Sequence, residues 1–151
     1  MKEELISRSL NETKKLGEEM ASYIFKNLKP KNKAVVICLE GELGGGKTTF
    51  LQGFARGLKI KDKILSPTFI IMKKFKIRNS RKFLNFYHFD CYRIKDSKEL
   101  FDLGFKEIIS CPKNIVAIEW ANQIKKNIPK DSFWIRFEFI KENERKIIFI
   151  V

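Results

Sequence analysis

The sequence of 151 residues contains few residues that could cross-link the chain or anchor it. Its three cysteines, Cys38, Cys91 and Cys111, are odd in number and form no C-x-x-C pair, which argues against a disulfide framework or a zinc site. No apolar stretch approaches the about 18 residues of a membrane span, and the charged residues after Met1 do not resemble a secretion signal. We therefore expect a cytoplasmic protein in a reducing compartment, without membrane contact.

Acidic residues are also scarce: the chain has 18 aspartates and glutamates and 31 lysines and arginines, which gives a net charge of +13. Such an excess raises nucleic acid as a partner, because cationic side chains displace the counterions that surround phosphates. The basic residues are densest in segment 73–82. Two interpretations stay open for this segment: a solvated hairpin whose lysines protect a sheet edge, or an auxiliary nucleic-acid face.

One segment matches the phosphate-binding loop sequence G-x-x-x-x-G-K-[ST]. It consists of Gly41, Glu42, Leu43, Gly44, Gly45, Gly46, Lys47 and Thr48, and Thr49 follows it. Glycines let backbone N–H groups turn toward phosphate oxygens, and the start of the next helix adds partial positive charge. The ammonium of Lys47 can reach the β- and γ-phosphates, and the Thr48 hydroxyl suits Mg²⁺. The segment therefore predicts a site for a nucleoside triphosphate.

The residues around this loop match the structural context that it needs. The apolar run 34–39 predicts a strand buried on both faces, and Phe50, Phe54 and Leu58 recur at helical spacing. An opening helix capped at Ser9 or Asn11, a short helix from Asp96 to Leu103 and hairpins near 78–81 and 141–145 complete the pattern.

No repeat or linker divides the chain, so we expect residues 1–151 to form one domain. The expected fold is α/β and P-loop NTPase-like, with three layers, a mostly parallel sheet, helices on both faces and antiparallel hairpin additions.

Two acids follow apolar strands and are expected at the edge of the sheet where the loop lies. Glu119 follows the run 115–118 and is the candidate metal ligand, as in Walker-B strands. Asp90 follows the strand 83–89, and it could orient the attacking water or complete the Mg²⁺ shell. A plain salt bridge with Arg93 is the alternative, and Arg93 could instead stabilise charge on the γ-phosphate.

Two further residues near these acids have open roles. His88, the only histidine, lies within a strand, and we expect a satisfied structural role for it. Trp120 follows Glu119, and it could stack on a base or pack into the core.

Five short motifs together resemble the TsaE (YjeE) family. They are 41–49, Ser66-Pro67-Thr68-Phe69, His88-Phe89-Asp90-Cys91-Tyr92-Arg93, Asp102-Leu103-Gly104-Phe105 and Ile118-Glu119-Trp120, and they span most of the chain. Members of this family are small bacterial P-loop ATPases required for threonylcarbamoyladenosine at position 37 of tRNAs that read codons starting with A. They act with the TsaB and TsaD proteins.

The resemblance implies ATP and Mg²⁺ as cofactors, ADP as product, and a weak hydrolase that partners stimulate. It implies catalytic roles for Lys47, Asp90 and Glu119, and metal ligation by Thr48, Glu119 and Asp90. Ser66 and Thr68 match the family's switch-like segment, and Thr13 matches a residue near the adenine. Contact with tRNA is expected to be indirect, through TsaB and TsaD.

Two other functions remain compatible with the sequence. The same loop serves kinases that transfer a phosphoryl group to a small molecule or nucleoside, although no Arg-rich lid segment is evident. The net charge would also fit a basic RNA-binding module with a vestigial nucleotide site. A GTPase is disfavoured, because no N-K-x-D sequence follows the loop.

Overall fold

A computed structural model describes residues 2–42, 46–65 and 71–150. The predicted site residues Leu43, Gly44, Gly45, Ser66 and Thr68 lie outside this part of the chain. The elements are β1 (Lys2–Ser7), α1 (Leu10–Asn27), β2 (Val35–Gly41), α2 (Lys47–Gly57), β3 (Met72–Lys76), β4 (Asn85–Asp90), α3 (Ser97–Asp102), α4 (Phe105–Ser110), β5 (Asn114–Glu119), a 3-10 segment (Ala121–Asn127), β6 (Phe133–Lys141) and β7 (Glu144–Ile150).

The strands form one seven-stranded sheet in the order β1-β7-β6-β2-β5-β4-β3. Parallel pairing joins the central strands β6, β2, β5 and β4. The three outer pairs are antiparallel: β1 with β7, β7 with β6, and β3 with β4. The prediction of a mostly parallel sheet is therefore wrong. Both expected hairpins are present, and with β1 they make half of the pairs antiparallel.

Strand β1 is an element that the sequence does not predict. Four of its six residues are exposed at the edge of the sheet, so the segment has no apolar alternation that would indicate a strand. Pairing with β7 forms the strand from Lys2 to Ser7. The chain then turns into α1, whose N-cap is Ser9, one of the two expected capping residues.

Apolar cores lie on both faces of the sheet. One core joins α1 and α2 to the sheet, with Phe50, Phe54 and Phe86 among its largest buried side chains. The other core joins α3, α4 and the 3-10 segment to the opposite face, around Phe89 and Phe105. The expectation of helices on both faces is thus confirmed, although sequence analysis did not predict α4 beyond Gly104.

Helices α1 and α2 pack against each other through glycines. A Cβ placed on Gly53 would lie 1.8 Å from the carbonyl oxygen of Lys14, and one placed on Gly17 would lie 2.1 Å from that of Phe50. The two backbones therefore touch. Because α1 is fixed by its own core residues, this contact sets the position at which α2 begins.

The parallel strands deliver the predicted acids to the edge where α2 begins. Asp90 at the end of β4 pairs in register with Glu119 at the end of β5, and Leu39 of β2 pairs with Glu119 on its other side. This carboxyl edge carries the candidate site. Within the described residues, no helix is both long enough and apolar enough to cross a bilayer.

Candidate functional site

The described ends of the phosphate-loop segment have glycine-specific backbones. Gly41 has φ 138°, and a Cβ there would lie 2.3 Å from the carbonyl oxygen of Phe137. Gly46 has φ 98° and caps the start of α2 at Lys47. Side chains other than hydrogen are strained in this region of φ. These two glycines therefore bring the chain from β2 into α2 within a few residues.

Lys47 is buried at the centre of the carboxyl edge. Its ammonium donates to the carbonyl oxygen of Gly41 and to that of Glu42 at 3.0 Å, and it lies 4.4 Å from the ring centroid of Trp120. Burial lowers the pKa of Lys47, while the charges of Glu119, Asp90 and Glu42 oppose this shift. The ammonium thus lies among acids, with no acid in direct contact among the described residues.

Glu119 connects helix α2 with the neighbouring strand β4. Its Oε1 accepts a hydrogen bond from the Thr48 hydroxyl at 3.3 Å, and its Oε2 lies 2.7 Å from Nε2 of His88. Glu119 is 3% exposed and His88 is 1% exposed. Both carboxylate oxygens are therefore oriented by named partners. Glu119 is therefore not a solvent-exposed acid at the end of its strand.

The sequence places His88 near the acids but does not indicate which of them it contacts. We expected a satisfied structural role, and the imidazole is indeed hydrogen-bonded within the sheet. Its partner is the candidate metal-binding acid on the neighbouring strand. His88 therefore holds Glu119, which is more than the general structural role that the strand pattern suggested.

Asp90 lies beside this group, in a half-buried position. Its Oδ1 accepts a hydrogen bond from the backbone N–H of Tyr92 at 3.0 Å. Burial raises the pKa of Asp90 and the negative charge of Glu119 raises it further, against the hydrogen bond from Tyr92 and the charges of His88 and Lys47. A carboxylate whose pKa is raised is a better proton acceptor than an exposed one. The side chain of Arg93 is exposed.

Trp120 begins the 3-10 segment in the left-handed region, with φ 56°. Its ring packs 4.8 Å from that of Tyr92, and it lies under the ammonium of Lys47. The indole is partly buried against the core beneath α3 and α4. Of the two open roles, the structure shows packing, while stacking on a base stays a prediction. A positive φ at a non-glycine residue beside a site is the kind of backbone strain found at functional sites.

Thr13 and Arg145 lie near the last glycine of the loop. A Cβ placed on Gly46 would meet Cγ of Arg145 at 3.5 Å and Cγ2 of Thr13 at 3.7 Å. The Thr13 hydroxyl is buried and contacts the Ser7 hydroxyl at 2.7 Å. Arg145 has a buried Nε without a hydrogen-bond partner in the described parts of the chain, and its guanidinium stacks 4.9 Å from the Phe139 ring. Nothing in the sequence of the hairpin marks Arg145 as a residue of the site.

An open cleft of about 640 Å³ extends from this edge across the ends of β2 and β6. The residues that line it are Glu40, Gly41, Glu42, Trp120, Asn122, Arg136, Phe137, Glu138 and Phe139. Two of them, Gly41 and Glu42, belong to the loop segment, so the cleft is continuous with the candidate site. Arg136 and Glu40, register partners on adjacent strands, form an ion pair at 2.8 Å in its lining.

The oxygen ligands at this edge suit a magnesium ion shared with a phosphate. Mg²⁺ commonly takes one or two protein oxygens and completes its shell with phosphate oxygens and water. Thr48 and Glu119 supply two such oxygens 3.3 Å apart. Among the described residues, no three His, Cys, Asp or Glu side chains form a group that could hold a metal alone. Thr48 and Glu119 therefore fit an ion that takes its remaining ligands from phosphate and water.

The structure brings most of the described predicted residues to one edge. Lys47, Thr48, Asp90, Glu119 and Trp120 lie there with the ends of the loop segment. Thr49 is half-buried in the first turn of α2. Taken together, fold and site define a mixed α/β protein with one seven-stranded sheet and a glycine-rich loop between a central strand and a helix.

Comparison with known proteins assigns this chain to a family. A family model described as "Threonylcarbamoyl adenosine biosynthesis protein TsaE" matches residues 7–147. A Bacillus subtilis protein named tRNA threonylcarbamoyladenosine biosynthesis protein TsaE is 40% identical over 114 residues, which are 76% of this chain and 68% of the relative. An Aquifex aeolicus protein of the same name is 34% identical over 146 residues, 95% of this chain and 92% of the relative. The chain belongs to the TsaE family.

A solved structure supports the same relationship. The crystal structure of Bacillus subtilis YdiB is similar to this chain with a TM-score of 0.70 and 29% sequence identity. The similarity covers 99% of this chain and 84% of YdiB. The mixed sheet with its helices is thus an arrangement that a related protein adopts.

Proposed function

We propose that this chain is a single-domain, P-loop NTPase-like ATPase that acts in the formation of threonylcarbamoyladenosine on tRNA. The observation that carries the proposal is the connection from Thr48 through Glu119 to His88, beside the buried ammonium of Lys47. Such an arrangement is what phosphoryl transfer requires of a protein, namely oriented hard oxygens and a cation next to a phosphate loop.

Lys47 and the loop hold the phosphates in this proposal. The ammonium exchanges the carbonyl oxygens of Gly41 and Glu42 for β- and γ-phosphate oxygens, and the N–H groups at the start of α2 donate to the same phosphates. Thr48 and Glu119 would hold Mg²⁺, which supplies charge neutralisation at the β- and γ-oxygens when it is bound. His88 keeps the Glu119 carboxylate turned toward Thr48.

Asp90 is the proposed group that orients and deprotonates the attacking water. Its raised pKa and its place beside Glu119 support this role. Arg93, exposed three residues after Asp90, is the proposed source of positive charge for the γ-phosphate. We propose slow turnover by the isolated chain, because positioning and electrostatics supply most of the catalysis and partner proteins can improve both.

The family assignment supports the cellular role. The related proteins are named for threonylcarbamoyladenosine biosynthesis on tRNA. We propose that this chain acts in the cytoplasm with TsaB and TsaD homologues. The open cleft beside the loop offers such partners a surface next to the candidate nucleotide site.

The proposal is tested by phosphate release and by reconstitution. Purified chain with Mg²⁺ and ATP should release inorganic phosphate slowly, form no phosphorylated metabolite, and turn over faster when TsaB and TsaD homologues are added. The same mixture should form threonylcarbamoyladenosine on a tRNA transcript when the precursors of that group are supplied. Transfer of phosphate to a small acceptor would instead identify a kinase, and modification at equal rate without this chain would contradict the proposed role.

A further inference from the structure

The amino ends of the parallel strands lie opposite the candidate nucleotide site and carry a basic surface. Six residues form this amino-edge cluster: Lys26, Lys76, Arg78, Arg81, Lys82 and Lys113. They come from the last turn of α1, the end of β3, the turn between β3 and β4, and the residue before β5. Chain segments far apart in sequence thus place like charges together.

Backbone contacts hold these segments against one another. The Lys82 ammonium donates to the carbonyl oxygen of Phe25, next to Lys26. The Lys113 ammonium donates to the carbonyl oxygen of Arg81 at 2.7 Å, and the N–H of Leu84 donates to the carbonyl oxygen of Lys113 at 2.8 Å. The cluster is therefore a fixed surface of the fold.

The charges of the cluster are not neutralised by acids in the described part of the chain. The ion pairs there involve other basic residues, and none of the six has a carboxylate oxygen within 4.0 Å. Five of the six residues are exposed, and Lys82 is half-buried. Like charges at neighbouring positions repel one another, and this repulsion destabilises the fold. A bound polyanion would remove the repulsion.

Protection of a sheet edge does not explain this surface. Lysines on an edge strand discourage pairing with a second sheet, and that argument covers Lys76 on β3. The turn residues Arg78 and Arg81, and Lys113 before the central strand β5, protect no edge. Their common property is a position on one face of the molecule.

We propose that the amino-edge cluster binds the phosphate backbone of tRNA directly, in contrast to the indirect contact that the resemblance to the family implies. The inference rests on the proposed function for the identity of the RNA. The cluster extends over three neighbouring strands, roughly 10 Å at the usual strand spacing, which is enough to contact several phosphates. Arginine adds bidentate contacts to phosphate oxygens. Because the acids of the nucleotide site lie at the opposite edge, tRNA and ATP can bind at the same time.

The test compares two variants of equal net charge. Lys76→Glu, Arg78→Glu and Arg81→Glu reverse three charges in the cluster, and Lys15→Glu, Lys95→Glu and Lys98→Glu reverse three exposed charges elsewhere. Each reversal changes the charge by two, so both triple variants carry +7 in place of +13. Fluorescence anisotropy with an unmodified tRNA transcript is measured across salt concentrations, with circular dichroism as the folding check.

We expect the cluster variant to bind tRNA at least 10-fold more weakly than the control variant. The slope of the logarithm of the binding constant against the logarithm of the salt concentration should be smaller in magnitude by about 2. An equal loss in both variants would overturn the proposal, because net charge alone would then explain binding. Absence of tRNA binding by the wild-type chain would also overturn it. Cluster-dependent binding to phosphatidylserine vesicles without tRNA binding would assign the surface to a membrane instead.

ATP hydrolysis by the same variants separates this inference from the proposed function. The cluster residues lie outside the nucleotide site, so both variants should hydrolyse ATP at the wild-type rate. Hydrolysis without tRNA binding would overturn the cluster proposal alone. If the wild-type chain binds tRNA through the amino-edge cluster and does not hydrolyse ATP, the proposed function is contradicted and the proposal for the cluster is supported.

Discussion

Nε2 of His88 lies 2.7 Å from Oε2 of Glu119, and both side chains are almost completely buried. The other carboxylate oxygen of Glu119 accepts from Thr48 at the start of α2. A carboxylate held from two sides has little freedom to rotate, so the fold already orders the proposed metal ligand. The arrangement corresponds to the outer-shell partners that orient ligands at metal sites.

Replacing His88 should therefore weaken the contribution of magnesium to nucleotide binding. We expect His88→Ala to reduce the affinity for Mg²⁺ of the complex with ADP by about 10–100-fold, because Glu119 loses its orienting partner. Isothermal titration calorimetry with and without EDTA measures this contribution. Binding in EDTA should match the wild-type chain, and His88→Gln should recover part of the loss by restoring an N–H donor. A wild-type response to Mg²⁺ in His88→Ala would show that Glu119 needs no such support.

The half-buried charge of Asp90 should lower the stability of the folded chain at neutral pH, although the proposed function uses this carboxylate in ATP hydrolysis. Burial raises its pKa above the ordinary value of 3.8, so its protonated form is favoured in the folded state and stability is lost as the pH rises through the folded pKa. Asp90→Asn should therefore raise Tm at pH 7 by about 2 °C, with the difference vanishing below pH 3.8. Scanning calorimetry without nucleotide or Mg²⁺ measures it.

The same substitution should lower ATP turnover by about 100-fold, the usual contribution of a positioned base. Asp102→Asn is the matched control, because Asp102 is exposed at the end of α3. Lower stability of Asp90→Asn at neutral pH would contradict the assigned cost of the buried charge.

The contact between α1 and α2 lies outside the candidate site, but its loss should lower both stability and nucleotide affinity. Gly53→Ala would place a Cβ 1.8 Å from the backbone oxygen of Lys14, so the helices must separate. We expect a loss of about 3 kcal/mol in the free energy of unfolding, measured by urea denaturation. Nucleotide affinity should fall as well, since α2 carries Lys47 and Thr48. Arg56→Ala, at an exposed position of the same helix, should stay within about 1 kcal/mol of the wild-type chain.

Arg145 should contribute to nucleotide binding independently of magnesium. Its side chain lies against Gly46, and its buried Nε lacks a hydrogen-bond partner within the described residues. A charged hydrogen bond to the nucleotide would be worth about 1.5 kcal/mol, so Arg145→Gln should weaken ADP binding by about 10-fold in Mg²⁺ and in EDTA alike. Arg136→Gln on β6 is the control, because that guanidinium pairs with Glu40. Equal ADP affinities of the two variants would show that Arg145 does not contribute to nucleotide binding.

Local patterns predicted the centre of the site well. The apolar strand, the glycine loop and the helical spacing of Phe50 and Phe54 are all contained in one stretch of sequence, and the structure has β2 and α2 there. The places of Asp90 and Glu119 followed from the rule that parallel strands deliver their carboxyl ends to one edge. In both cases, short-range pattern and strand direction were sufficient.

Residues that act through distant pairing could not be predicted. His88 looked structural because its partner Glu119 is 31 residues away on the neighbouring strand. Arg145 reaches Gly46 only because β7 lies beside β6 in the sheet order. The polar strand β1 forms because β7 offers it an edge, and its own residues carry no strand pattern. Tertiary context decided each of these positions.

The central claim is that the loop amides and Lys47 bind a magnesium-bound adenine nucleotide. Isothermal titration calorimetry of the wild-type chain with ADP and Mg²⁺ tests it, beside Lys47→Ala and the control Lys15→Ala, with circular dichroism to verify folding. We predict saturable binding by the wild-type and control chains and about 100-fold weaker binding by Lys47→Ala, since two charged phosphate contacts are lost. Absence of binding by the wild-type chain, with TsaB and TsaD homologues present or absent, or equal affinity in Lys47→Ala, would contradict it.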